Sequence, residues 1–579
     1  LNPNSTIDLD YRRLVRDSRR LDISHHRQQI RVALLSDAAT QQFVPILKTL
    51  FHENGVGVHF YEGPFDAIEL EVINPQSGLY TFKPDVVIFL HSTQALRARY
   101  YLTPGREQPV TRLWDVLSNH SPCRIIQCNF PLPCERPFGQ FDLKIQQSLY
   151  TATQQLNAQL AEAARQRPNV LLCDMESIAS YIGRKHWFDD RLWDMSKTFC
   201  ALEHLPAAAQ ALVDLVLAGL GHVIKCIVLD LDNTLWGGVV GDLGPLAIQI
   251  GPHGDGEAFY RFQQYLLSLK RRGILLAVCS KNDLANALAP FEQNSGMLLK
   301  RDDITVFIAN WENKADNIRQ IRDTLEIGLD SMVFLDDNPF ERNLVRNFLP
   351  GVIVPELPED PADYVRALCE LNLFETTSFS AEDVSRAALY KQEAERREAQ
   401  TTYTGLTEFL KSLDMRITLG RFESSQIARI SQLFLRSNQF NLTTHRYSEA
   451  ECEAMLRNQA CIPLQASLSD RFGDHGLISI VVAWPEGDTL RLSDWLMSCR
   501  VLGRGVEQYL MNHVFAIASD LRLSFVSGDF IPTPKNAMVK DFWSQFGFEP
   551  FNGTTWRKPV AAYAPATVWI QEAVWTPLP

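Results

Sequence analysis

The stretch Cys226-Ile-Val-Leu-Asp230-Leu-Asp232-Asn-Thr234-Leu-Trp236-Gly-Gly238 decides the fold. An apolar, β-branched run ends abruptly in two carboxylates spaced i, i+2. Such a run reads as a strand buried on both faces, as in a parallel sheet. Ligands of open α/β sheets bind beyond the carboxyl ends of the strands, so the two aspartates mark the working edge. Bringing them together is unfavourable without a cation or a phosphate-handling role. The pair asks for a metal.

Three later stretches supply partners in chain order. Gly273-Ile-Leu-Leu-Ala-Val-Cys279-Ser280 is a second apolar strand ending in a hydroxyl, Asn310-Trp-Glu-Asn-Lys314 places a lysine at a helix start, and Met332-Val-Phe-Leu-Asp336-Asp337 is a third strand ending in paired acids. An isolated Asp-x-Asp is as readily a helix N-cap or turn as a site; four motifs in sequence are not. The Asp-x-Asp-x-Thr pattern resembles the first motif of the haloacid dehalogenase (HAD) superfamily. That resemblance implies Asp230 as nucleophile on phosphorus and Asp232 as general acid/base. It also implies Thr234, Ser280 and Lys314 around the substrate phosphate, and Mg2+ held by Asp230, the Asp232 backbone carbonyl, Asp336 and Asp337. An oxygen-only shell suits a hard cation.

The longer strings Leu-Asp-Leu-Asp-Asn-Thr-Leu-Trp-Gly-Gly, Ala-Val-Cys-Ser-Lys-Asn-Asp and Phe-Leu-Asp-Asp-Asn-Pro-Phe-Glu-Arg resemble the FkbH-like branch of HAD subfamily IIIC. These are glyceryl transferases and phosphatases of polyketide biosynthesis. The resemblance runs over nearly the whole chain. It implies D-1,3-bisphosphoglycerate as substrate, removal of its phosphates, and loading of the glyceryl unit through an enzyme cysteine onto the phosphopantetheine thiol of an acyl carrier protein.

At 579 residues the chain has room for three or four domains, each with its own core. Its formal charge of −12 gives no support to nucleic-acid binding, and an acidic carrier protein has to dock on a local basic patch. Eleven cysteines without CxxC pairs or zinc spacing fit reduced thiols in a cytoplasmic protein. No apolar run approaches the ~20 residues that span a bilayer. The stretch Leu-Asn-Pro-Asn at the start lacks the apolar centre of a signal peptide.

Residues 1–220 alternate strands (Ile30 to Leu35, Val56 to Tyr61, Asp85 to Leu90, Cys123 to Asn129, Val170 to Cys173) with helices (Gln41 to Asn54, Asp142 to Gln166). That order predicts a doubly wound parallel sheet, and it resembles an SGNH/flavodoxin-like α/β domain. Ser36-Asp37 and Asn129 stand where an SGNH nucleophile and oxyanion donor belong. No histidine has the spacing of the base, His186 and His204 included, so a structural or docking role is expected. Residues 221–375 form the HAD-like Rossmannoid domain. Its loop from Gly241 to Gly256 is too short for a large cap and leaves the site open to a substrate presented by another protein. Residues 376–402 form a polar helical linker, with Ala381 to Ala399 as its helix.

Residues 403–579 are expected to form an α+β domain. Strand-like Met415 to Leu419, Leu477 to Trp484 and Leu490 to Met497 precede Arg500-Val-Leu-Gly503-Arg504-Gly505, which opens a helix from Val506 to Ala518. The turn and the later Asn536 to Phe548 segment resemble the GNAT family. Glycines permit close backbone approach, and free N–H groups at a helix start favour an anion. CoA and the arm of a carrier protein share phosphopantetheine, so this resemblance implies Arg500, Gly503 and Gly505 as contacts to a carrier's arm, with acetyl transfer or a merely retained fold as the alternatives.

A thiolate suits the acyl-holding role, and Cys279 is the first candidate because it adjoins Ser280, with Lys281 and Lys314 placed to lower its pKa. Cys226 lies too deep on its strand, and Cys499 is the second candidate. Two other functions compete with glyceryl transfer. One is a phosphatase acting on a small phosphorylated metabolite; the other is a non-catalytic scaffold that docks carrier proteins.

Overall fold

A computed structural model of the chain describes residues 9–26, 28–102, 110–379, 405–437, 439–498, 501–533 and 536–575. The expected linker helix, Cys499 and Arg500 lie outside the described residues. The chain divides into two compact units, one of Leu1–Leu220 with Ser448–Glu451 and one of Gly221–Tyr447 with Cys452–Pro579.

The first unit carries a five-stranded parallel sheet of β1 (Gln28–Ser36), β2 (Val56–Glu62), β3 (Val86–Leu90), β4 (Arg124–Cys128) and β5 (Val170–Cys173), in the order β2-β1-β3-β4-β5. Strand alternation divides β1 between two cores: Val32 and Leu34 face one, Ala33 and Leu35 the other. Three of its helices are α1 (Val44–Glu53), α2 (Leu149–Arg165) and the largely buried α3 (Leu205–Gly219). The sequence predicts α2 from Asp142. The structure starts it after Ser148, whose side chain caps it by accepting from the Thr151 N–H, and gives Gly139–Lys144 a 3-10 turn instead.

The second unit holds two sheets. The first is parallel, of β6 (Cys226–Leu229), β7 (Leu275–Ser280), β8 (Val306–Ala309) and β9 (Met332–Leu335), in the order β8-β7-β6-β9. Ile227, Leu229, Leu276 and Val278 face the core that includes Phe262 of helix α4 (Glu257–Arg271). Cys226, Val228, Ala277 and Cys279 face the core that takes in Ile318 and Ile321 of α5 (Lys314–Leu325) and Val345 of α6 (Pro339–Phe348). Burial on both faces is why these strands read as continuous apolar runs.

The other sheet has eight strands, β10 (Met415–Arg421), β11 (Ile462–Asp470), β12 (Gly473–Glu486), β13 (Thr489–Met497), β14 (Phe525–Asp529), β15 (Glu549–Asn552), β16 (Thr555–Pro559) and β17 (Ile570–Trp575). Their order is β15-β16-β14-β13-β12-β11-β10-β17. β13 and β14 run parallel only as far as the Leu492 and Gly528 pair. Beyond it the chain's own residues 440–442 take the place beside β13: the Leu442 N–H donates to the Trp495 carbonyl and the Met497 N–H to the Phe440 carbonyl, both at 3.0 Å. Helix α7 (Ile427–Arg436) precedes that segment, and helix α8 (Val506–Asp520) follows Gly505, whose φ of 86° is left-handed. The fold is thus α/β around the two parallel sheets and α+β around the eight-stranded sheet, the class expected from the sequence. No helix among the described residues is long and apolar enough to cross a membrane.

Candidate active site at the carboxyl edge of the central sheet

Asp230 follows β6, Ser280 ends β7, and Asp336 and Asp337 follow β9, so adjacent strands deliver their polar ends to one edge. Lys314 arrives as the first residue of α5, whose N-cap Asn313 accepts from the Ala315 N–H at 2.8 Å. Its Nζ lies 2.6 Å from Asp336 Oδ2 and 2.9 Å from Asp230 Oδ1, with the side chain almost fully buried. Burial opposes the ammonium, but the two carboxylates outweigh it and hold the Lys314 pKa above its ordinary value. Burial and then the neighbouring Asp230 push the Asp336 and Asp337 carboxyls up.

Oxygens of Asp230, Asp336 and Asp337 all lie within 4.8 Å of one another, a group able to hold a metal ion. Three carboxylates face one ammonium there, and an all-oxygen donor set fits a hard divalent cation. The Asp232 carboxylate stands outside this group. It accepts from Trp236 Nε1 at 2.9 Å, the Val240 N–H at 3.0 Å and Asn282 Nδ2 at 3.0 Å. Burial pushes its carboxyl up, the direction that suits a proton donor.

Two of the expected residues have surroundings that their chain neighbours do not suggest. Thr234 is fully buried, and its Oγ1 accepts from the Asp337 N–H at 3.1 Å while facing Asp337 Oδ1 at 3.4 Å. Its hydroxyl is thus engaged with Asp337, one of the carboxylates of the candidate metal group. Cys279 points away from the Ser280 side of β7 into the apolar layer against α5, with Sγ 3.7 Å from the Lys314 carbonyl. Burial outweighs the Lys314 charge and pushes its thiol up to about 12, whereas Lys281 is paired with Glu341 at 2.6 Å. Cys226 lies in the same layer and is also raised by burial.

Sequence reading missed the residues that brace the edge. Arg342 on α6 donates through Nη1 to the Asp336 carbonyl at 2.8 Å and the Asp337 carbonyl at 2.7 Å, and pairs with Glu356. Asn282 and Trp236 fix Asp232. All three stood inside the quoted motifs, but their partners are set by tertiary packing.

In the first unit, Ser36 Oγ donates to the Leu90 carbonyl at 2.9 Å and accepts from the Ala38 N–H. Asp37 pairs with Arg99 at 2.6 Å. Asn129 Nδ2 donates to Asp174 at 2.7 Å. His204 stacks on Trp187, and His186 is exposed. Among the described residues no histidine hydrogen-bonds to Ser36.

In the third domain a cavity of about 470 Å³ is lined by Phe440, Leu502, Gly503, Gly505, Glu507 and Phe542 among others. Gly503 and Gly505 have φ of 70° and 86°, a conformation that favours glycine. The expected free amide at Gly503 is already taken: it donates to Glu507 Oε1 at 3.3 Å. Arg504 is buried beside Asp470 and His475.

The family model described as "FkbH, N-terminal domain" matches residues 31–217. No curated protein matches the chain. Among solved structures, the N-terminal part of BF1531 from Bacteroides fragilis, which contains a phosphatase domain and was crystallised with Mg, is 42% identical. That alignment covers 64% of this chain and 100% of the other, with a TM-score of 0.60. The ribosomal-protein-S18-alanine N-acetyltransferase of Escherichia coli aligns at 12% identity over 25% of this chain and 94% of its own, TM-score 0.20. An acetyltransferase of the GNAT family from Staphylococcus aureus aligns at 9% over 25% and 99%, TM-score 0.21.

The strand-end carboxylates, their lysine and the BF1531 likeness define an enzyme with a HAD-type phosphatase domain. At that identity over the whole of the solved relative, and with the N-terminal match, the chain belongs to the FkbH-like family.

Proposed function

We propose that the chain is a Mg2+-dependent glyceryl transferase and phosphatase that takes D-1,3-bisphosphoglycerate and loads an acyl carrier protein for polyketide biosynthesis. The observation that carries the phosphotransfer half is Lys314 bridging Asp230 and Asp336 at the sheet edge. Asp230 attacks the phosphoryl group, and Asp232 protonates the departing oxygen and then deprotonates the water that releases phosphate. Lys314 and Ser280 screen the phosphoryl oxygens. Asp230, Asp336 and Asp337, with the Asp232 carbonyl, would hold Mg2+, which supplies charge neutralisation for an anionic nucleophile meeting an anionic substrate. Arg500, Gly503 and Gly505 are the proposed phosphopantetheine contacts, and for Gly503 that requires Glu507 to swing aside.

The acyl-holding cysteine is proposed as Cys279, whose burial demands a local opening at the first turn of α5, with Cys499 as the second candidate. Intact-protein mass spectrometry with D-1,3-bisphosphoglycerate and Mg2+, without carrier, tests the whole reading. The expected result is one added glyceryl mass that hydroxylamine removes and Cys279→Ser prevents. A mapped adduct on Cys499 would move the role there. The buried thiol of Cys279 favours a second reading, a phosphatase of a small phosphorylated metabolite, which phosphate release without any adduct would establish. A purely docking scaffold has no use for Asp230, Asp232, Ser280, Lys314 and Asp336 together.

A further inference from the structure

A second constellation with the parts of a catalytic base lies in the third domain. Asp494 sits on β13 two residues past the last pair with β14, where the two strands have parted. It is 1% exposed, and its carboxylate gathers the Thr443 hydroxyl at 2.8 Å, His445 Nδ1 at 2.8 Å, the Tyr447 hydroxyl at 3.1 Å and the Ser493 hydroxyl at 2.8 Å. Those contacts fill a carboxylate's accepting capacity and fix the loop that carries His445. With Nδ1–H on Asp494, the lone pair of the imidazole is on Nε2. The His445 side chain is 46% exposed, and Nε2 has no partner among the described residues. Thr444, a β-branched residue, is held at φ 59° with its N–H on Asn441 Oδ1 at 2.7 Å. Backbone strain of this kind persists only where its surroundings over-determine it.

A buried carboxylate that orients an imidazole by Nδ1 and leaves Nε2 to an incoming group is the arrangement that activates nucleophiles. We propose that His445, oriented by Asp494, is a general base that takes the proton of a thiol acceptor in acyl transfer, an inference that rests on the acyl-transfer reading above. His445 Nε2 accepts the S–H proton as the sulfur attacks the carbonyl carbon of a thioester. Collapse breaks the old C–S bond, and the departing thiolate recovers the proton from Nε2. No electrons change hands. The charged groups around the ring support this role. The Asp494 hydrogen bond raises the His445 pKa against burial, Asp529 on β14 adds to it and Arg491 on β13 opposes it, while Tyr447 is the titratable neighbour on the loop. An imidazole so raised lies nearer a thiol in proton affinity.

The test uses the full chain with an N-acetylcysteamine thioester as donor and pantetheine as acceptor, following thiol exchange as a function of pH. Wild-type protein should accelerate exchange, with a rate that rises as pH passes through the His445 pKa and neutralises the ring. His445→Gln should lower it about 100-fold without shifting the thermal unfolding midpoint. Added imidazole should restore part of the rate in His445→Ala, and Asp494→Asn should move the pH inflection downward. No acceleration by wild-type protein, or an unchanged rate and pH profile in His445→Gln, would overturn the proposal. Phosphate release from D-1,3-bisphosphoglycerate is read in the same preparations. Its absence with exchange intact would strike the phosphotransfer reading and leave the dyad standing.

Discussion

Lys314 is the residue on which the phosphate site turns, because it reconciles two buried carboxylates that repel each other. Removing one partner from such a cluster leaves uncompensated buried charge, so Lys314→Ala should destabilise the metal-free protein by about 3–5 kcal/mol. Saturating Mg2+ should return part of that loss, since a cation can stand between the same oxygens. Denaturant titrations with and without Mg2+ measure both, and equal destabilisation in the two conditions would remove Asp230 and Asp336 from the metal's shell. Asp230→Asn is nearly isosteric and keeps the fold, but it should lower phosphate release by about 10⁴-fold, because the nucleophilic charge is gone. A folded variant that releases phosphate at the wild-type rate would end the nucleophile assignment.

Among elements, the turn that opens α8 makes the clearest case. Glu507, in the first turn of that helix, accepts from the Gly503 N–H that an arriving phosphate would need, and its burial pushes the carboxyl up. Glu507→Ala should free the amide and remove a like charge, tightening phosphopantetheine binding about tenfold by calorimetry. An unchanged Kd would leave this turn a structural one. Strands β6, β7 and β9 were legible because both faces are buried, and Asp230, Ser280 and Asp336 stand at their ends, with Lys314 at the start of α5. Cys279 lies in the apolar layer against α5 because strand alternation, not sequence proximity to Ser280, decides which layer a side chain enters. β15 and β16 were missed since their residues are exposed or half-buried and give no apolar rhythm. Arg342 was quoted in its motif, yet no spacing says that its guanidinium holds two carbonyls.

At the scale of the whole molecule, three sheets with separate apolar cores should not melt as one body. Calorimetry is expected to resolve at least two transitions, and Mg2+ at about 100 times its Kd should stabilise only the one that contains Asp230, by about 2.7 kcal/mol. A uniform shift of every transition, or none, would contradict a metal site confined to that sheet. The eight-stranded sheet adds a constraint on biosynthesis. Its β10 pairs in parallel with β17, some 150 residues later in the chain, from Met415 with Ile570 to Leu419 with Trp575. During translation β10 therefore emerges long before its neighbour, with one row of backbone donors and acceptors open. Until the ribosome has delivered Ile570–Trp575, the nascent domain presents an unpaired edge, the kind of surface on which strands of other chains add and chaperones act.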